Sequence, residues 1–411
     1  MSIVQRSESA PIDIRAALTG INNKISTAHF RALAMRGDPQ LPDFYPVKIE
    51  PSSIRPGTTI YDPAGHAAVV YRVSRDGRVS YIDAHPDNSL TEGDYGSKFT
   101  QSSHPLTAPG FKNWRALRLQ GARVGRNGQL IGGIILPDTD ADHADFHVEQ
   151  YVGNVRPLPN LDNWRSRRFR INGRDLSFHE FVRQRLAGGN LRYDPLIETA
   201  NLVDGLCGDL RDRVAAVSSA IHAGMDRRQQ PVRFPENIYG TSGAWEEYST
   251  PSRDARMKVS FKELRDEIVK YMEMFAKKDP RLDYNGSDLA RDLFDVYVER
   301  AQACVIAYER SDGTMRSLTL DEVAGRLFNL GFDPYHCAER RWGGTRTELA
   351  TCRDNTVKQQ WYDAEQRLRN QSERQYEVRM DFTLAELQRG GPGTGVNTPP
   401  DIDVRKALGL P

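Results

Sequence analysis

The feature that most constrains the fold is a pair of strand-like segments joined by a glycine-containing turn. Ala67–Val73 and Arg78–Asp83 are rich in β-branched and aromatic residues, and Ser74-Arg75-Asp76-Gly77 connects them. An Asp-Gly pair between two such runs predicts a β-hairpin, because glycine readily adopts the positive φ that a tight turn requires. A third run, Thr58–Tyr61, precedes them and ends at the turn Asp62-Pro63-Ala64-Gly65. The sequence therefore predicts a small antiparallel sheet in this region.

Two histidines and a carboxylate are placed to meet at one end of that sheet. His66 begins the second strand, Asp83 and His85 come at the end of the third, and Asn88 follows just beyond. In an antiparallel hairpin the start of one strand lies beside the end of the next, so we expect Asp83 or His85 within hydrogen-bond reach of the His66 ring. His66 would then act as a general base and Asp83 as its orienter, with His85 or Asn88 as alternative orienters. The alternative is that His66 is a structural residue that caps the strand after Gly65.

The hairpin also resembles a known family. Gly65-His66-Ala67-Ala68-Val69-Val70-Tyr71 is similar to the strand that carries the catalytic histidine of NlpC-type and CHAP-type papain-like cell-wall peptidases and amidases. Pro56-Gly57-Thr58 resembles the turn that opens the preceding strand in that family. Tyr81-Ile82-Asp83-Ala84-His85 takes the place of the strand whose polar residue orients the histidine. The resemblance covers residues 55–90, and it implies a papain-like fold and an activity on peptide or amide bonds of a cell-wall polymer.

The chain departs from that family at the nucleophile. The family uses a cysteine at the start of a helix upstream of the sheet, and residues 1–206 contain no cysteine. Because the thiolate is the attacking species in such chemistry, three interpretations remain open. Ser26 or Thr27 replaces the cysteine, a segment upstream of Met1 carries it, or the chain is a catalytically inactive relative that serves as a binding or structural module. The second interpretation implies a periplasmic or secreted protein, and otherwise a cytoplasmic one is expected.

Composition narrows the classes of partner. Lys and Arg number 56 and Asp and Glu number 55, and this balance argues against a nucleic-acid-binding protein, which normally carries a basic excess. No apolar run approaches the length of a transmembrane helix, and Met1–Ala10 lacks the apolar segment of a signal peptide. We therefore expect peptidoglycan or another peptide-containing polymer as the partner, with no nucleic acid and no transmembrane segment.

The four cysteines do not have the spacing of a metal site; they are Cys207, Cys304, Cys337 and Cys352. Cys337 and Cys352 flank Gly343-Gly344, a loop that can fold back on itself. We expect their Cα atoms within about 7 Å of each other, the limit for a disulfide. The alternative is four reduced, partly buried thiols.

An acidic segment, Asp138–Glu149, has carboxylates at the first, third, fifth and twelfth positions, like an EF-hand calcium loop. His143 occupies the sixth position, where that loop requires glycine, and Pro137 with the glycines before it argues against an entering helix. We expect a solvated acidic loop, and the sequence predicts no metal site and no cofactor.

Apolar periodicity divides the chain into three parts. Residues 1–155 are predicted to form an α+β domain, with a helix over Asp13–Ala34, a Pro-rich connector over residues 38–56 and an antiparallel sheet of four or five strands that includes Phe111–Leu119. Residues 390–411 are rich in glycine and proline and are predicted to form a flexible tail. Residues 156–389 are predicted to be mainly helical and have no assigned role, with helices over Phe178–Leu186, Pro195–Ala223, Ser260–Phe275, Ser287–Tyr308, Thr319–Leu330 and Asp354–Arg379.

A polar segment rich in aromatic residues, 236–254, precedes the third of these helices. Such segments line saccharide or peptide grooves, where aromatic faces stack on the ligand. The predicted binding residues are Tyr239, Trp245, Tyr248 and Arg253. The alternative is a packed connector between helices.

Overall fold

The computed structural model describes residues 13, 15–16, 20, 41–61, 66–85, 90–99, 110–159, 166–238, 243–248, 251–372, 380–390 and 396–409. Most of the predicted N-terminal helix lies outside these residues, and so do Ser26, Thr27, Asn88 and Tyr239. The described residues form an α+β structure, as predicted, with an antiparallel sheet followed by a mainly helical region.

Six strands form the main sheet in the order β1-β6-β2-β3-β4-β5, and every neighbouring pair is antiparallel. The observed sheet therefore has more strands than the four or five predicted. Both edge strands of the observed sheet are additional to the strands identified from the sequence. One of them lies in the Pro-rich connector, where Pro46 is tolerated because an edge strand does not need every backbone donor. The strands are β1 (Phe44–Pro46), β2 (Thr59–Tyr61), β3 (Ala67–Val73), β4 (Val79–Ala84), β5 (Leu90–Asp94) and β6 (Gly110–Trp114).

The hairpin predicted from Asp76-Gly77 is confirmed. Gly77 has a φ of 78°, and its backbone N–H donates to the Ser74 carbonyl at 3.0 Å. Ala68 lies opposite Asp83 in the β3–β4 pair. Continuing this register by two residues places His66 opposite His85, so the turn determines which side chains meet at the end of the sheet.

Four two-stranded ladders accompany the main sheet. Phe111–Leu119, predicted as one strand, is divided between β6 and the next strand, because Arg115 and Ala116 leave the ladder between them. The ladders pair β7 (Leu117–Gln120) with β10 (Ile134–Pro137), β8 (Arg123–Val124) with β9 (Leu130–Ile131), β11 (Phe169–Ile171) with β12 (Arg174–Leu176), and β13 (Val305–Glu309) with β14 (Met315–Thr319).

Long helices dominate the second half of the described chain, as predicted. None of the helices within the described ranges combines the length and the apolar character needed to cross a membrane. They are α1 (Glu149–Val152), α2 (Phe178–Leu186), α3 (Pro195–His222), α4 (Ala244–Tyr248), α5 (Pro251–Ala276), α6 (Leu289–Ala303), α7 (Leu320–Gly325), α8 (Ala338–Arg341), α9 (Thr356–Ala364), α10 (Gln366–Arg369), α11 (Leu384–Gln388) and α12 (Val404–Ala407), with 3₁₀ turns at Asp140–Asp142, Met225–Arg227, Leu327–Asn329 and Glu348–Thr351.

Four of the predicted helices have bounds that differ from the observed ones by more than one residue. The helix predicted over Thr319–Leu330 ends at Gly325, and the one predicted over Asp354–Arg379 is divided into α9 and α10, the second of which ends at Arg369. Helix α5 begins at Pro251 rather than Ser260, since proline is favoured in the first turn of a helix. The helix predicted to end at Tyr308 ends at Ala303, and Val305–Glu309 forms a strand that turns back at Asp312-Gly313. This is the same turn chemistry that marks the first hairpin, with a φ of 87° at Gly313.

The buried apolar residues form three clusters. One lies between the main sheet and α2, the second is built by α3, α5 and α6 with the β13–β14 hairpin, and the third joins Phe234, Trp245 and Trp361 with neighbouring side chains. The segment predicted as a flexible tail differs from that expectation between Val404 and Leu408, where both side chains are buried in the second cluster.

Two disulfides connect the helical region. Cys337 and Cys352 are bonded with a Cα–Cα distance of 5.7 Å, which confirms the predicted proximity. Cys207 and Cys304 form a second disulfide, also with a Cα–Cα distance of 5.7 Å, which spacing did not predict because these residues are 97 positions apart. This bond ties the middle of α3 to the end of α6.

Ion pairs connect the sheet to the helices behind it. Arg78 in the hairpin and Arg183 in α2 both contact Glu198 in the first turn of α3, at 2.9 and 2.6 Å. The backbone N–H of Ser97 donates to Glu263 of α5 at 3.2 Å. These contacts hold the turn end of the β3–β4 hairpin against α2 and α3 and the segment after β5 against α5, while the candidate site lies at the opposite, open end of the hairpin.

Candidate functional site

The site is built on the hydrogen bond between His66 and Asp83. His66 Nε2 lies 2.8 Å from Asp83 Oδ2, which confirms the contact expected from the hairpin register. The Asp83 side chain is fully buried, whereas that of His66 is 27 % exposed. A buried carboxylate therefore holds a ring whose other side faces outward, and no serine, threonine or cysteine among the described residues hydrogen-bonds to that ring.

His85 lies beside the pair without orienting His66 directly. Its ring stacks on that of His66, with centroids 5.5 Å apart. His85 Nε2 lies 3.1 Å from Thr91 Oγ1 and 3.5 Å from Asp83 Oδ1. The Thr91 hydroxyl also donates to Asp83 Oδ1, so Asp83 receives one hydrogen bond on each carboxylate oxygen. Asp83, rather than His85, therefore makes the hydrogen bond to the His66 ring.

Two arginines of α5 add positive charge on the buried side of the site. Arg256 Nη1 lies 3.6 Å from Asp83 Oδ2. Burial acts to raise the pKa of Asp83, but the hydrogen bond with His66 and the charge of Arg256 outweigh it and hold that pKa well below its ordinary value. Burial and the charge of Arg253 lower the pKa of His85 to about 4. At neutral pH Asp83 is therefore ionised and His85 is neutral.

A cavity of about 120 Å³ opens next to His85, between the sheet and the two long helices α3 and α5. Its lining carries both signs of charge and includes His85, Asp209, Asp212, Arg253 and Arg256. Burial, together with the nearby charges of Asp209 and Asp83, raises the pKa of Asp212 to about 6. The cavity is large enough for a few water molecules or a short side chain, and it presents carboxylate and guanidinium groups to its content.

The predicted binding residues separate into different environments. Arg253 lines the cavity. Trp245 is buried against Phe234 and Phe332 in the third apolar cluster, so it packs in the core and does not present a stacking face to a ligand. Tyr248 ends α4 and is partly exposed outside the lining of that cavity. The segment around Trp245 thus corresponds to the alternative of a packed connector.

The site is better suited to hydrogen bonding than to metal binding. His66, Asp83 and His85 do offer three ligand atoms within 4.8 Å of one another. However, His66 Nε2 and Asp83 Oδ2 are already hydrogen-bonded to each other, so neither atom is available to an ion. In the acidic loop, Asp140 contacts Arg115 at 2.7 Å and Asp142 accepts from the Thr139 backbone at 2.7 Å, so both carboxylates have structural partners.

No protein-family model, curated protein or solved structure matches this chain. The arrangement of His66, Asp83 and His85 at the end of the sheet is thus the feature of the chain that bears most directly on function.

Sequence reasoning missed four polar residues of the site, namely Thr91, Asp209, Asp212 and Arg256. Thr91 lies opposite Asp83 in the β4–β5 pair, but the polar sequence of β5 does not predict a strand. Pro251 is the feature that would have revealed Arg256, because a helix that begins there places Arg253 and Arg256 on one face. Asp212 comes close only through tertiary packing.

Proposed function

We propose that the protein is a hydrolase related to papain-like peptidases and amidases, in which His66 is the general base and Asp83 orients its ring. The observation that carries this proposal is the hydrogen bond of 2.8 Å between His66 Nε2 and Asp83 Oδ2. An ionised carboxylate can only accept a hydrogen bond, so Nε2 carries the proton. The lone pair is then on Nδ1, the ring nitrogen that faces away from Asp83.

The proposed reaction begins with proton transfer to His66 Nδ1. The ring takes a proton from a hydroxyl group or a water molecule as that nucleophile attacks the carbonyl carbon of an amide, and it then returns the proton to the leaving amine. Asp83 stabilises the positive charge on the ring between these two steps. All four cysteines of the chain are paired in disulfides, so no thiol of this sequence is the nucleophile.

The resemblance to NlpC-type and CHAP-type enzymes favours peptide or amide bonds of a cell-wall polymer as the substrate. The cavity beside His85 supports a peptide-like ligand, because Asp212 suits an amino group and Arg253 suits a carboxylate. Disulfides persist in oxidising compartments, and the two disulfides therefore favour a site of action outside a reducing cytosol.

The test is turnover of peptidoglycan fragments, measured as release of new amino groups. We expect His66→Ala to lower kcat/KM by on the order of 10²–10⁴-fold, the usual contribution of a general base. His222→Ala is the matched control, since His222 is an exposed histidine at the end of α3. We also expect iodoacetamide to leave turnover unchanged. Equal turnover by His66→Ala and the wild type, or loss of turnover on thiol alkylation, would contradict the proposal.

A second candidate function is that of a catalytically inactive binding module. The pairing of all four cysteines favours it, because a hydroxyl is far harder to activate than a thiol. Sedimentation with insoluble peptidoglycan distinguishes the two functions. A binding module would sediment with the polymer and release no amino groups, and Arg253→Ala would weaken its binding while His66→Ala would not.

A further inference from the structure

A second cluster of histidine and carboxylate side chains lies inside the helical region, and none of its three residues lines the cavity. Asp333 and His336 lie in the segment before α8, and Glu365 lies between α9 and α10. All three side chains are fully buried. One ligand atom from each lies within 4.8 Å of the other two.

The centre of this cluster contains two polar atoms without a hydrogen bond. Among the described residues, neither His336 Nε2 nor Glu365 Oε2 has a hydrogen-bond partner. His336 Nε2 is 3.7 Å from Asp333 Oδ2 and 3.9 Å from Glu365 Oε1, distances too long for direct hydrogen bonds. Buried polar atoms are nearly always paired, so the two unpaired atoms indicate that a ligand binds between the three side chains.

The distances suit a metal ion. Zinc lies about 2.0–2.2 Å from imidazole nitrogen and carboxylate oxygen, so two of its ligand atoms are at most about 4.4 Å apart. Both distances measured from His336 Nε2 are shorter than this limit. The distance to Glu365 is that to Oε1, which also accepts from Arg369, so an ion bound to the unpaired Oε2 requires a rotation of that carboxylate.

The surroundings orient His336 as a metal ligand. Its Nδ1 lies 3.2 Å from Asp354 Oδ2, and the other oxygen of Asp354 accepts from the Cys337 backbone at 3.0 Å. A carboxylate on Nδ1 holds the proton there and leaves the Nε2 lone pair directed at the ion, as is usual for histidine ligands of metals. The Cys337–Cys352 disulfide adjoins both residues and holds them together.

The two carboxylates are oriented as well. Asp333 Oδ2 accepts from Gln230 Nε2 at 2.6 Å, and Asp333 Oδ1 accepts from the Tyr335 backbone at 2.8 Å. Glu365 Oε1 accepts from Arg369 Nη1 at 2.9 Å, which leaves Oε2 for the ion. Each prospective ligand is thus fixed by a neighbour, which is the pattern of a formed metal site.

We propose that Asp333, His336 and Glu365 bind one divalent transition-metal ion. One imidazole nitrogen with carboxylate oxygens is a donor set that zinc accepts. Because the cluster is fully enclosed, the ion stabilises the packing of α8, α9 and α10 and does not take part in the reaction proposed for His66.

The experiment measures zinc binding by the full-length chain, with its disulfides intact, after treatment with EDTA. Equilibrium dialysis against Zn²⁺ should give about one tightly bound ion per chain, and Glu365→Gln should weaken binding at least about tenfold. Glu365→Gln keeps the size of the side chain and a hydrogen bond to Arg369. The matched control is His85→Gln, which removes a histidine from the other cluster and should leave zinc binding unchanged.

X-ray absorption spectroscopy of the zinc-loaded wild type tests the proposal without a variant. This test can be made even if Glu365→Gln fails to fold. We expect nitrogen and oxygen ligands with a single imidazole. Two imidazoles would place the ion at His66 and His85 and would overturn the proposal. Zinc content well below one ion per chain after dialysis would overturn it too, as would equal affinity in the wild type and a folded Glu365→Gln.

Discussion

The two clusters of histidine and carboxylate side chains use the same residue types but differ in burial and in contact. At the end of the sheet, His66 is partly exposed and hydrogen-bonded to Asp83 at 2.8 Å. In the helical region, His336 is fully buried and lies 3.7 Å from Asp333 and 3.9 Å from Glu365. In the first cluster the histidine and the carboxylate are hydrogen-bonded directly, whereas in the second His336 Nε2 has no hydrogen bond to either carboxylate.

The backbone around each histidine explains this difference. Antiparallel register brings side chains of neighbouring strands into direct contact, so the carboxylate at 83 meets the ring at 66 without an intermediary. The buried cluster is instead assembled from loops and helix ends that a disulfide holds in place. There the side chains converge on a point, as ligands of an ion do.

The largest expected effect separates the contributions of the two disulfides to stability. Loss of a disulfide costs more when it closes a longer loop. We expect Cys207→Ala with Cys304→Ala to lower the free energy of unfolding by about 5 kcal/mol, and Cys337→Ala with Cys352→Ala by about 3 kcal/mol. Urea denaturation measures both. Only the second pair should weaken zinc binding, because it alone adjoins His336, and equal effects of the two pairs on zinc would break the comparison.

The next effect concerns catalysis. Asp83→Asn removes the charge that orients His66 and stabilises its protonated form, so we expect kcat/KM to fall by on the order of 10²–10⁴-fold. The same substitution in the other cluster, Asp333→Asn, should reduce zinc binding and leave kcat/KM unchanged. Steady-state kinetics with peptidoglycan fragments, below the unfolding temperature of both variants, gives the answer. A loss of turnover in Asp333→Asn would show that the clusters are coupled.

The sheet cluster should contribute a pH dependence to the free energy of unfolding through His85. The pKa of His85 is lowered to about 4 by burial and by Arg253, so between pH 4 and about 6.5 the unfolded chain binds more protons than the folded one. The contribution of neutral His85 is fully present above about pH 6.5 and is lost as the pH falls to about 4, on the order of 3 kcal/mol in total. Urea denaturation at several pH values should show that the free energy of unfolding falls less between about pH 6.5 and pH 4 in His85→Gln than in the wild type. His222→Gln is the exposed control, and a slope unchanged by His85→Gln would refute the prediction.

The smallest effect tests the hydroxyl group that links His85 to Asp83. Thr91→Val keeps the shape of the side chain but removes its hydrogen bonds to both residues. We expect a loss of about 1–2 kcal/mol in the free energy of unfolding and less than a tenfold loss in turnover, because His66 keeps its bond to Asp83. Thr351→Val is the matched control, because it removes a hydroxyl that donates to a carboxylate, Glu339, in the helical region. It should leave turnover unchanged. A loss of turnover in Thr91→Val as large as in Asp83→Asn would make Thr91 part of the orienting group.

Local pattern predicted the parts of the fold whose determinants lie close together in the chain. The β3–β4 hairpin follows from Asp76-Gly77, and the start of α7 follows from the capping box of Thr319 and Glu322. The second hairpin was missed although Asp312-Gly313 has the same turn chemistry, because the helical period before it was extended too far. The roles proposed for His66 and Asp83 and the predicted domain boundaries stay predictions.

Local sequence is sufficient to place His66, Asp83 and His85 at one end of a sheet, because register in a short hairpin depends only on the turn and on the alternation of side chains. Tertiary packing was needed to show that Arg256 and Asp212, from two different helices, complete that site, and that Trp245 packs in the core. Only it brought Asp333, His336 and Glu365 together. The physical reason is that such contacts arise from the packing of helices far apart in the chain, which no periodicity within a single segment encodes.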